Sequence, residues 1–335
     1  MKFIPTILEY FRLFRFHAAS MEVTIILIGA LIMGQHNLSL LLVIFLIGVF
    51  GHICGYILND YADIEVDKES EELKQKPLVS GTISKKNALI LAFLTGFITY
   101  SLTLIFFPYV RSIFLLVVAN LLTLIYNFYG KKIIGSDFIV AGTVAVFCLF
   151  GASTVNTPFT NLIYIVCFIF FFDIVFINVV EGGLKDVDHD YLSGAKTLAT
   201  ILGVKVREGK LIVTRKFLAF AYGFRILYVF TILLLGFEST IHLWLSENYL
   251  LQSITLIFLA IVLGGSYKFL HLKVFDRSNM KRVYGGINAA SGILLIVMLY
   301  PILGIEITLV LLIFPVTWYT IFNKILYGKP LQPRV

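Results

Sequence analysis

An acidic stretch that follows directly on a long apolar run is the strongest chemical signal in the sequence. Its polar members are Asn59, Asp60, Asp63 and Asp67. Helical spacing places three of them, Asn59, Asp63 and Asp67, on one face of a helix. The same face continues back to Gly55 and Gly51, a GxxxG step that predicts the close approach of another helix or a ligand. Acceptor oxygens at this density repel one another unless cations lie between them, and hard divalent cations prefer oxygen ligands. A solvated acidic helix end is the alternative explanation.

A second acidic cluster occupies a matching position, again just after a long apolar run. It comprises Asp186, Asp188 and Asp190, and helical spacing puts Asp186 and Asp190 on one face. The two clusters lie four predicted helices apart in the same orientation, as in a parallel repeat about an axis along the membrane normal. We therefore expect them to converge on one cavity mouth, which favours a shared cation site over two solvated helix ends.

Basic and polar groups accompany the first cluster. The following loop carries Lys76-Pro77 and Ser80-Gly81, turn signals that let it fold back over the motif, and Ser84 is expected to cap the next helix. Farther on, predicted span 4 has three polar residues on one face, and Lys131 lies just beyond it, where anions would gather. These three residues form either a polar wall inside the bundle or a set of interhelical hydrogen bonds: Asn120, Thr123 and Asn127.

Two acidic clusters, nearby lysines and a hydrophobic cavity suit a ligand that is half anion and half hydrocarbon, such as an isoprenoid diphosphate. Mg²⁺ is usually held by a few carboxylates together with phosphate oxygens, and it neutralises charge on a departing diphosphate. Lysines would add to this stabilisation. A chain with 31 Phe and 17 Tyr can also line a dry chamber for the allylic cation through cation–π contacts.

The elements that position these groups are membrane helices. Hydrophobic residues make up 59% of the 335-residue chain and charged ones only 14%, against about a quarter in an ordinary soluble domain. The sequence predicts an all-α, polytopic membrane bundle of nine to ten transmembrane helices, because runs of about 20 apolar residues cross a bilayer. Ten runs are read, the last two of which could be one kinked span at Pro301 and Gly304: about 17–34, 39–59, 87–107, 111–129, 138–156, 160–182, 217–236, 249–269, 285–303 and 306–325.

The basic residues give the orientation of the chain. All 27 Lys and Arg except Arg111 and Arg225 fall in the N-terminus, the even-numbered loops or the C-terminus of a ten-span chain. Basic loops stay in the cytoplasm, which places both acidic clusters and both termini there. The net charge of +7 suits anionic lipid headgroups and gives no reason to expect a nucleic acid, and no protein partner is inferred.

Domain organisation follows from the same pattern. Residues 1–16 predict an amphipathic interfacial helix, 17–325 the transmembrane domain and 326–335 a cytoplasmic tail. Asp173 and Arg225 are ionisable groups inside predicted spans, and Arg225 either snorkels to the interface or lines the cavity. They are the support for a different class of function, a cation-coupled transporter. Transporters bind near the midplane, however, whereas the acids here concentrate at the cytoplasmic rim.

The motifs carry a resemblance to a known family. Asn59-Asp60-x-x-Asp63-x-x-x-Asp67 resembles the NDxxDxxxD motif of the UbiA superfamily of intramembrane prenyltransferases, and Asp186-x-x-x-Asp190 with Gly194 and Lys196-Thr197 resembles its second motif. The loop Lys76-Pro77-Leu78-Val79-Ser80-Gly81 and the segment from Tyr126 to Lys131 with Gly135 resemble two further family signatures. The resemblance implies Mg²⁺-dependent transfer of a prenyl group from its diphosphate to a lipophilic acceptor. By motif match, metal and diphosphate would be held by Asn59, Asp60, Asp63, Asp67, Asp186 and Asp190, and phosphate oxygens would meet Lys76 and Lys131.

The acceptor is open at this stage. The compact second motif is similar to the hydroxybenzoate branch, whereas the first motif resembles the glycerolipid or naphthoate branches; we favour an aromatic quinone precursor. A glycerol-phosphate lipid is the alternative, and it would need further basic groups, for which Lys185, Lys196 and Arg225 are candidates. The candidate site therefore has catalytic residues Asp63, Asp67, Asp186 and Asp190 and substrate-binding residues Asn59, Lys76, Tyr126, Lys131, Lys185 and Lys196.

Overall fold

The computed structural model describes residues 3–69 and 73–330, and these are helical almost throughout. Short 3₁₀ turns at Phe16–Ala18 and Gly130–Lys132 and a π-helical segment at Phe176–Gly182 interrupt the α-helices. The α-helices are α1 (Phe3–Leu13), α2 (Ala19–Ile32), α3 (Leu38–Asp67), α4 (Lys85–Phe106), α5 (Val110–Tyr129), α6 (Asp137–Ser153), α7 (Asn161–Val175), α8 (Gly183–Ser193), α9 (Leu198–Ile201), α10 (Arg215–Phe237), α11 (Tyr249–Leu270), α12 (Arg277–Met298) and α13 (Tyr300–Tyr327).

Seven helices within the described residues are long and apolar enough to cross a membrane, and an eighth span is possible if the bent pair at 7–13 and 16–32 is counted as one. The all-helical, multi-pass prediction is therefore confirmed. The apolar α6 is shorter than these seven, and α12 carries Arg277, Lys281 and Arg282 in its first two turns. Residues 1–2 of the predicted interfacial segment and 331–335 of the predicted tail lie outside the described residues.

The break between the last two predicted spans lies elsewhere than the sequence suggested. Helix α12 ends at Met298 and α13 begins at Tyr300, rather than at about 303 and 306. Pro301 accounts for this position, because proline lacks an N–H and fits only the first turn of a helix without loss. Gly304, with φ of 71°, then kinks α13 one turn later.

The helices group into two compact units, each described by itself. The first comprises 1–128, 146–159 and 309–335, and the second comprises 129–145 and 160–308. In the first unit α3 packs against α2 and α4. A Cβ added at Gly151 would lie 1.9 Å from the carbonyl oxygen of Ile26, and one at Gly29 would lie 2.0 Å from that of Cys148. Glycine is required there because two backbones touch.

At Gly51 and Gly55, where the sequence predicted the close approach of a helix or a ligand, the neighbouring groups are side chains. Added Cβ atoms there would meet Thr99 and Thr123 side chains at 3.9 and 3.7 Å, which are ordinary packing distances. No second backbone approaches among the described residues at these two positions, and the GxxxG step is instead reached by side chains of α4 and α5.

The second unit holds an element that the all-α prediction lacked. Strand β1 (Lys205–Arg207) pairs antiparallel with β2 (Lys210–Ile212), with Val206 opposite Leu211. Glu208 and Gly209 join them with φ of 53° and 72°, the left-handed pair of a two-residue hairpin turn. Helices α7 and α8 are continuous through the π-helical segment, and α7 packs against α10.

Candidate active site

The first acidic motif forms the last turns of α3. The helix runs on beyond the predicted span to Asp67, so all four polar residues of the motif are helical. Asp60 and Asp67 are 3% and 5% exposed, whereas Asn59 and Asp63 are half-buried. Carboxylates at a helix C-terminus oppose the helix macrodipole, and buried ones lose hydration as well. This helix end therefore needs positive charge beside it.

Two basic side chains supply that charge. The Lys76 ammonium lies 3.1 Å from Oδ1 of Asp60 and 2.7 Å from Oδ2 of Asp67. The guanidinium of Arg15 donates through Nη2 to the same Oδ1 of Asp60 at 2.7 Å. The predicted folding of the loop over the motif is thus confirmed, and Lys76 binds the acids themselves in this structure.

The loop backbone that carries Lys76 is fixed by hydrogen bonds and burial. The amide of Ser80 donates to the carbonyl of Lys76 at 2.9 Å, and that of Ile83 donates to the carbonyl of Pro77 at 3.1 Å. Leu78 and Ile83 are buried in one apolar cluster with Ile57 and Ile64 of α3. The Ser84 side chain caps α4 by accepting from the amide of Asn87, as predicted.

Sequence reasoning missed Arg15 as a member of this site. It assigned residues 1–16 to an interfacial helix, but α1 ends at Leu13 and Arg15 has left-handed backbone angles, φ 44° and ψ 43°. This conformation is uncommon for a residue other than glycine. It directs the guanidinium both to Asp60 and over the ring of Tyr56, with Cζ 4.9 Å from the ring centroid.

A buried histidine holds the backbone around Arg15. His52 lies on α3 with its ring wholly buried; Nδ1 is 3.0 Å from Oε2 of Glu22, and Nε2 is 3.0 Å from the carbonyl oxygen of Phe14. A carbonyl oxygen only accepts, so Nε2 must carry the proton in that bond. The sequence signals for this arrangement were two ionisable residues inside apolar runs, His52 and Glu22, and their pairing could not be predicted because they lie 30 positions apart.

The polar face of α5 meets α3 through side chains. Asn59 donates to Oδ1 of Asn127 at 3.1 Å, and Asn127 donates to the carbonyl of Gly55 at 3.1 Å. Asn120 donates to the hydroxyl of Tyr100 on α4 at 2.9 Å. Interhelical hydrogen bonding therefore accounts for these two asparagines of α5. Tyr126 is half-buried beside them in sequence, and the side chain of Lys131 lies outside what the structure describes.

The second acidic motif lies on α8. Asp186 pairs with the ammonium of Lys185 at 3.0 Å, and Asp190 accepts a hydrogen bond from the Thr197 hydroxyl at 2.9 Å. Asp188 points elsewhere, because Arg277 donates to its Oδ1 at 2.6 Å. Lys196 is exposed. Lys185 pairs with Asp186 and not with Glu181, which lies one turn earlier in the π-helical segment.

The charged pair inside the second unit is buried. Arg225 of α10 is 2% exposed and donates through Nη1 to Oδ1 of Asp173 at 3.2 Å, and its Cζ lies 3.6 Å from the ring centroid of Phe176. Ser291 donates to the other oxygen of Asp173 at 2.7 Å and also bonds the hydroxyl of Tyr228. The prediction that Arg225 snorkels is therefore wrong: a counter-charge on α7 keeps it inside.

This pair gives a stability prediction. Asp173→Asn leaves the Arg225 guanidinium without a counter-charge in a buried site, and we expect it to lower the free energy of unfolding by about 3 kcal/mol. The double variant Asp173→Leu/Arg225→Met removes both charges and should recover most of this loss. Thermal unfolding of the detergent-solubilised proteins checks both. Equal midpoints for Asp173→Asn and the parent chain would contradict a structural role for the pair.

The donor set of the first motif fits a hard divalent cation. All of its candidate ligands are oxygen atoms, the kind that Mg²⁺ prefers. One ammonium bonds Asp60 and Asp67 at once, so these two carboxylates lie close enough to share a cation. Across residues 3–69 and 73–330 no three His, Cys, Asp or Glu side chains stand grouped as a ready metal site.

These features define an integral multi-pass membrane protein whose acidic motifs end two of its long helices. Residues 23–250 match the model of the UbiA prenyltransferase family, and the chain belongs to that family.

Relatives with two different names resemble the chain. A 4-hydroxybenzoate octaprenyltransferase from Shewanella denitrificans is 41% identical over 98 residues, which are 29% of this chain and 33% of the relative. The matched part therefore spans about a third of the length of that relative. A digeranylgeranylglyceryl phosphate synthase from Saccharolobus solfataricus is 27% identical over 245 residues, or 70% of this chain and 84% of the relative.

Solved structures share the fold. A structure of digeranylgeranylglyceryl phosphate synthase superposes with a TM-score of 0.66 at 19% identity, covering 90% of this chain and 100% of the other. A UbiA homologue from Archaeoglobus fulgidus, bound to DMAPP and Mg²⁺, gives a TM-score of 0.61 at 16% identity and covers 89% of this chain and 100% of the other. At these identities the likeness shows the fold alone.

Proposed function

We propose that this protein transfers a prenyl group from an allylic prenyl diphosphate to a lipophilic acceptor in a Mg²⁺-dependent reaction. The observation that carries the proposal is the end of α3, where buried Asp60 and Asp67 share the ammonium of Lys76. A cluster of acids held together by basic groups can exchange those groups for a metal ion and the oxygens of a diphosphate. Membership of the UbiA prenyltransferase family supports this chemistry.

The residue roles follow the two motifs. In the reaction the C–O bond of the allylic diphosphate breaks, its electron pair leaves with the diphosphate, a bond forms from the prenyl carbon to the acceptor, and the acceptor loses a proton. Mg²⁺, when bound, neutralises the charge on the leaving diphosphate. We assign cation binding to Asn59, Asp60, Asp63 and Asp67 in the first motif and to Asp186 and Asp190 in the second; that the two motifs serve one cavity stays a prediction.

Basic and aromatic residues complete the assignment. Lys76 and Lys131 would bind phosphate oxygens and stabilise the leaving group, and Tyr126, shortly before Lys131 in the sequence, is also assigned to substrate binding. Lys185 already pairs with Asp186 and lies next to the second motif, and exposed Lys196 follows it, so both are proposed to bind substrate anions. Arg225 is not proposed to bind the substrate, because its charge is neutralised by Asp173.

The topology proposed from the basic loops has ten spans with both termini in the cytoplasm. Each predicted span overlaps a described α-helix, although α6 and α12 are not among the seven helices that are long and apolar enough to cross a membrane. Ten crossings keep the lysines and arginines of the even-numbered loops on one side. Both acidic motifs then face the cytoplasm, where soluble diphosphate is released.

For the acceptor we propose an aromatic quinone precursor of the hydroxybenzoate or naphthoate type. The 41% identity over 98 residues to a 4-hydroxybenzoate octaprenyltransferase supports this choice. A glycerol-phosphate lipid is the second candidate, because the similarity to a digeranylgeranylglyceryl phosphate synthase extends over 84% of that relative. The transporter hypothesis loses its support, since Asp173 and Arg225 neutralise each other within the second unit.

One experiment tests the proposal and the acceptor together. The purified protein is incubated with Mg²⁺, labelled geranylgeranyl diphosphate and an equimolar mixture of 4-hydroxybenzoate, a dihydroxynaphthoate and a prenylated glycerol phosphate, and products are identified by mass spectrometry. We expect a prenylated aromatic product that disappears on chelation and returns when Mg²⁺ is restored. Product formation after exhaustive chelation would contradict the metal requirement. Exclusive prenylation of the glycerol lipid would overturn the acceptor and leave the transfer chemistry standing.

A further inference from the structure

Two carboxylates of the first motif, those of Asp60 and Asp67, are already paired with the protein's own basic groups. Oδ1 of Asp60 accepts from both Arg15 and Lys76, and Oδ2 of Asp67 accepts from Lys76. Lys76 therefore bridges the same two carboxylates that the proposed function gives to a metal ion. Its side chain is 10% exposed, and those of Asp60 and Asp67 are 4% and 7% exposed. In this arrangement the acids are covered by the cations that pair with them.

A divalent cation arriving alone meets a barrier in this arrangement. It can reach Asp60 and Asp67 only if Lys76 withdraws, because a third positive charge beside Lys76 and Arg15 would be repelled at close range. A withdrawn ammonium must also find another partner or become hydrated, or its two hydrogen bonds are lost without replacement. A diphosphate supplies that partner, since its oxygens accept from lysine and arginine.

We propose that Lys76 and Arg15 are the resident counter-ions of the first motif, and that a divalent cation enters this motif only together with a diphosphate, which takes the two basic groups from the acids. The inference rests on the proposed function, because it takes Asp60 and Asp67 as ligands of the metal. It adds Arg15 to the site and fixes the order of loading: metal and diphosphate bind together, and the metal does not precede the substrate.

The exchange requires movement of side chains and leaves the loop in place. The turn around Lys76 is closed by the hydrogen bond from Ser80 to the Lys76 carbonyl, and Leu78 and Ile83 anchor it in the apolar cluster of α3. Beyond Cα, lysine has a flexible four-carbon stem, so its ammonium can move from carboxylate to phosphate by rotation alone. Arg15 keeps its contact with the ring of Tyr56 as a pivot.

Binding of Mn²⁺ to the detergent-purified protein, followed by electron paramagnetic resonance with and without inorganic diphosphate, tests this order. In the unmodified protein we expect diphosphate to tighten Mn²⁺ binding strongly. In Lys76→Met the acids lose their bridging cation, and Mn²⁺ alone should bind about tenfold more tightly than in the parent protein. Lys76→Gln should behave in the same way, and it replaces Lys76→Met if that variant elutes as an aggregate.

Two controls locate the effect. Lys85→Met removes a lysine of α4 that pairs with the exposed Glu65 of α3. This variant should leave Mn²⁺ binding unchanged. Adding Asp67→Asn to Lys76→Met should abolish the gain, because the strengthened site then lacks one of its two carboxylates. A gain that is equal in Lys85→Met, or that survives Asp67→Asn, overturns the assignment to this motif.

The same data separate this inference from the proposed function. A protein that transfers prenyl groups with Mg²⁺ yet binds Mn²⁺ equally well with and without diphosphate overturns the loading order alone. Absence of both transfer and diphosphate-dependent Mn²⁺ binding overturns the proposed function and the inference with it. Diphosphate-dependent binding in the parent, together with metal-only binding in Lys76→Met, supports both.

Discussion

Replacing Asp63 with asparagine is expected to reduce prenyl transfer by about a thousandfold while the protein remains folded. Asp63 lies one turn from both Asp60 and Asp67 on α3 and is half-buried. The amide keeps the size of the side chain and removes its negative charge, so a Mg²⁺–diphosphate complex loses one anionic ligand. Turnover with Mg²⁺ and a labelled prenyl diphosphate measures the loss, and size-exclusion chromatography with thermal unfolding measures folding.

Glu65→Gln is the matched control for this prediction. Glu65 lies two residues farther along the same helix, its side chain is 71% exposed, and it pairs with Lys68 at 2.8 Å and Lys85 at 3.1 Å. Exposed ion pairs of this kind are screened by solvent and contribute little to stability, so this variant should keep turnover within about threefold of the parent. A comparable loss of turnover in both variants would mean that the end of α3 tolerates no carboxylate-to-amide change. It would contradict a specific role of Asp63 in the reaction.

Local features of this site could be predicted from the sequence. The spacing of Asn59, Asp63 and Asp67 requires only helical periodicity, and α3 does continue through Asp67. Likewise the turn signals after the motif and the capping Ser84 depend on residues a few positions apart, and both are found as expected. Such features survive in the structure because short-range sterics and hydrogen bonds determine them.

Long-range contacts could not be predicted in the same way. Arg15 reaches Asp60 across 45 positions in the chain, and His52 pairs with Glu22 across 30. The left-handed backbone at Arg15 leaves no periodic signal, so the amphipathic pattern of residues 1–16 favoured an interface helix. The buried pair of Asp173 and Arg225 is similar, because an isolated arginine in a span gives no sign of which helix carries its counter-charge.

The charges at the end of α3 connect a feature that could be predicted, the spacing of the acids, with one that could not, the basic groups that pair with them. Three aspartates within the last two turns of a helix are unfavourable, because the C-terminal end of the macrodipole is itself negative. Their cost is offset in the structure by basic groups from two separate segments, the N-terminal segment and the loop after α3. The sequence therefore shows that cations are needed at this helix end, and the fold decides which ones supply the charge.

At the second motif, Asp190→Asn is expected to reduce turnover about a thousandfold, whereas Asp188→Asn should change it by no more than about threefold. The two residues are neighbours on α8 but face different ways, since Asp190 accepts from Thr197 and Asp188 is paired with Arg277. Loss of the partly exposed pair with Arg277 should appear as a small drop in thermal stability and leave the bound diphosphate untouched.

Measuring turnover and Mn²⁺ binding in the presence of inorganic diphosphate for both variants separates a ligand from a structural residue. A ligand at Asp190 requires that Asp190→Asn weaken diphosphate-dependent metal binding as well as turnover. If Asp188→Asn proves to be the inactive variant, the catalytic carboxylate of α8 lies on the face of Arg277, and the assignment of Asp186 and Asp190 by helical spacing is wrong. The contrast is sharp because both changes are isosteric, two residues apart and on one helix.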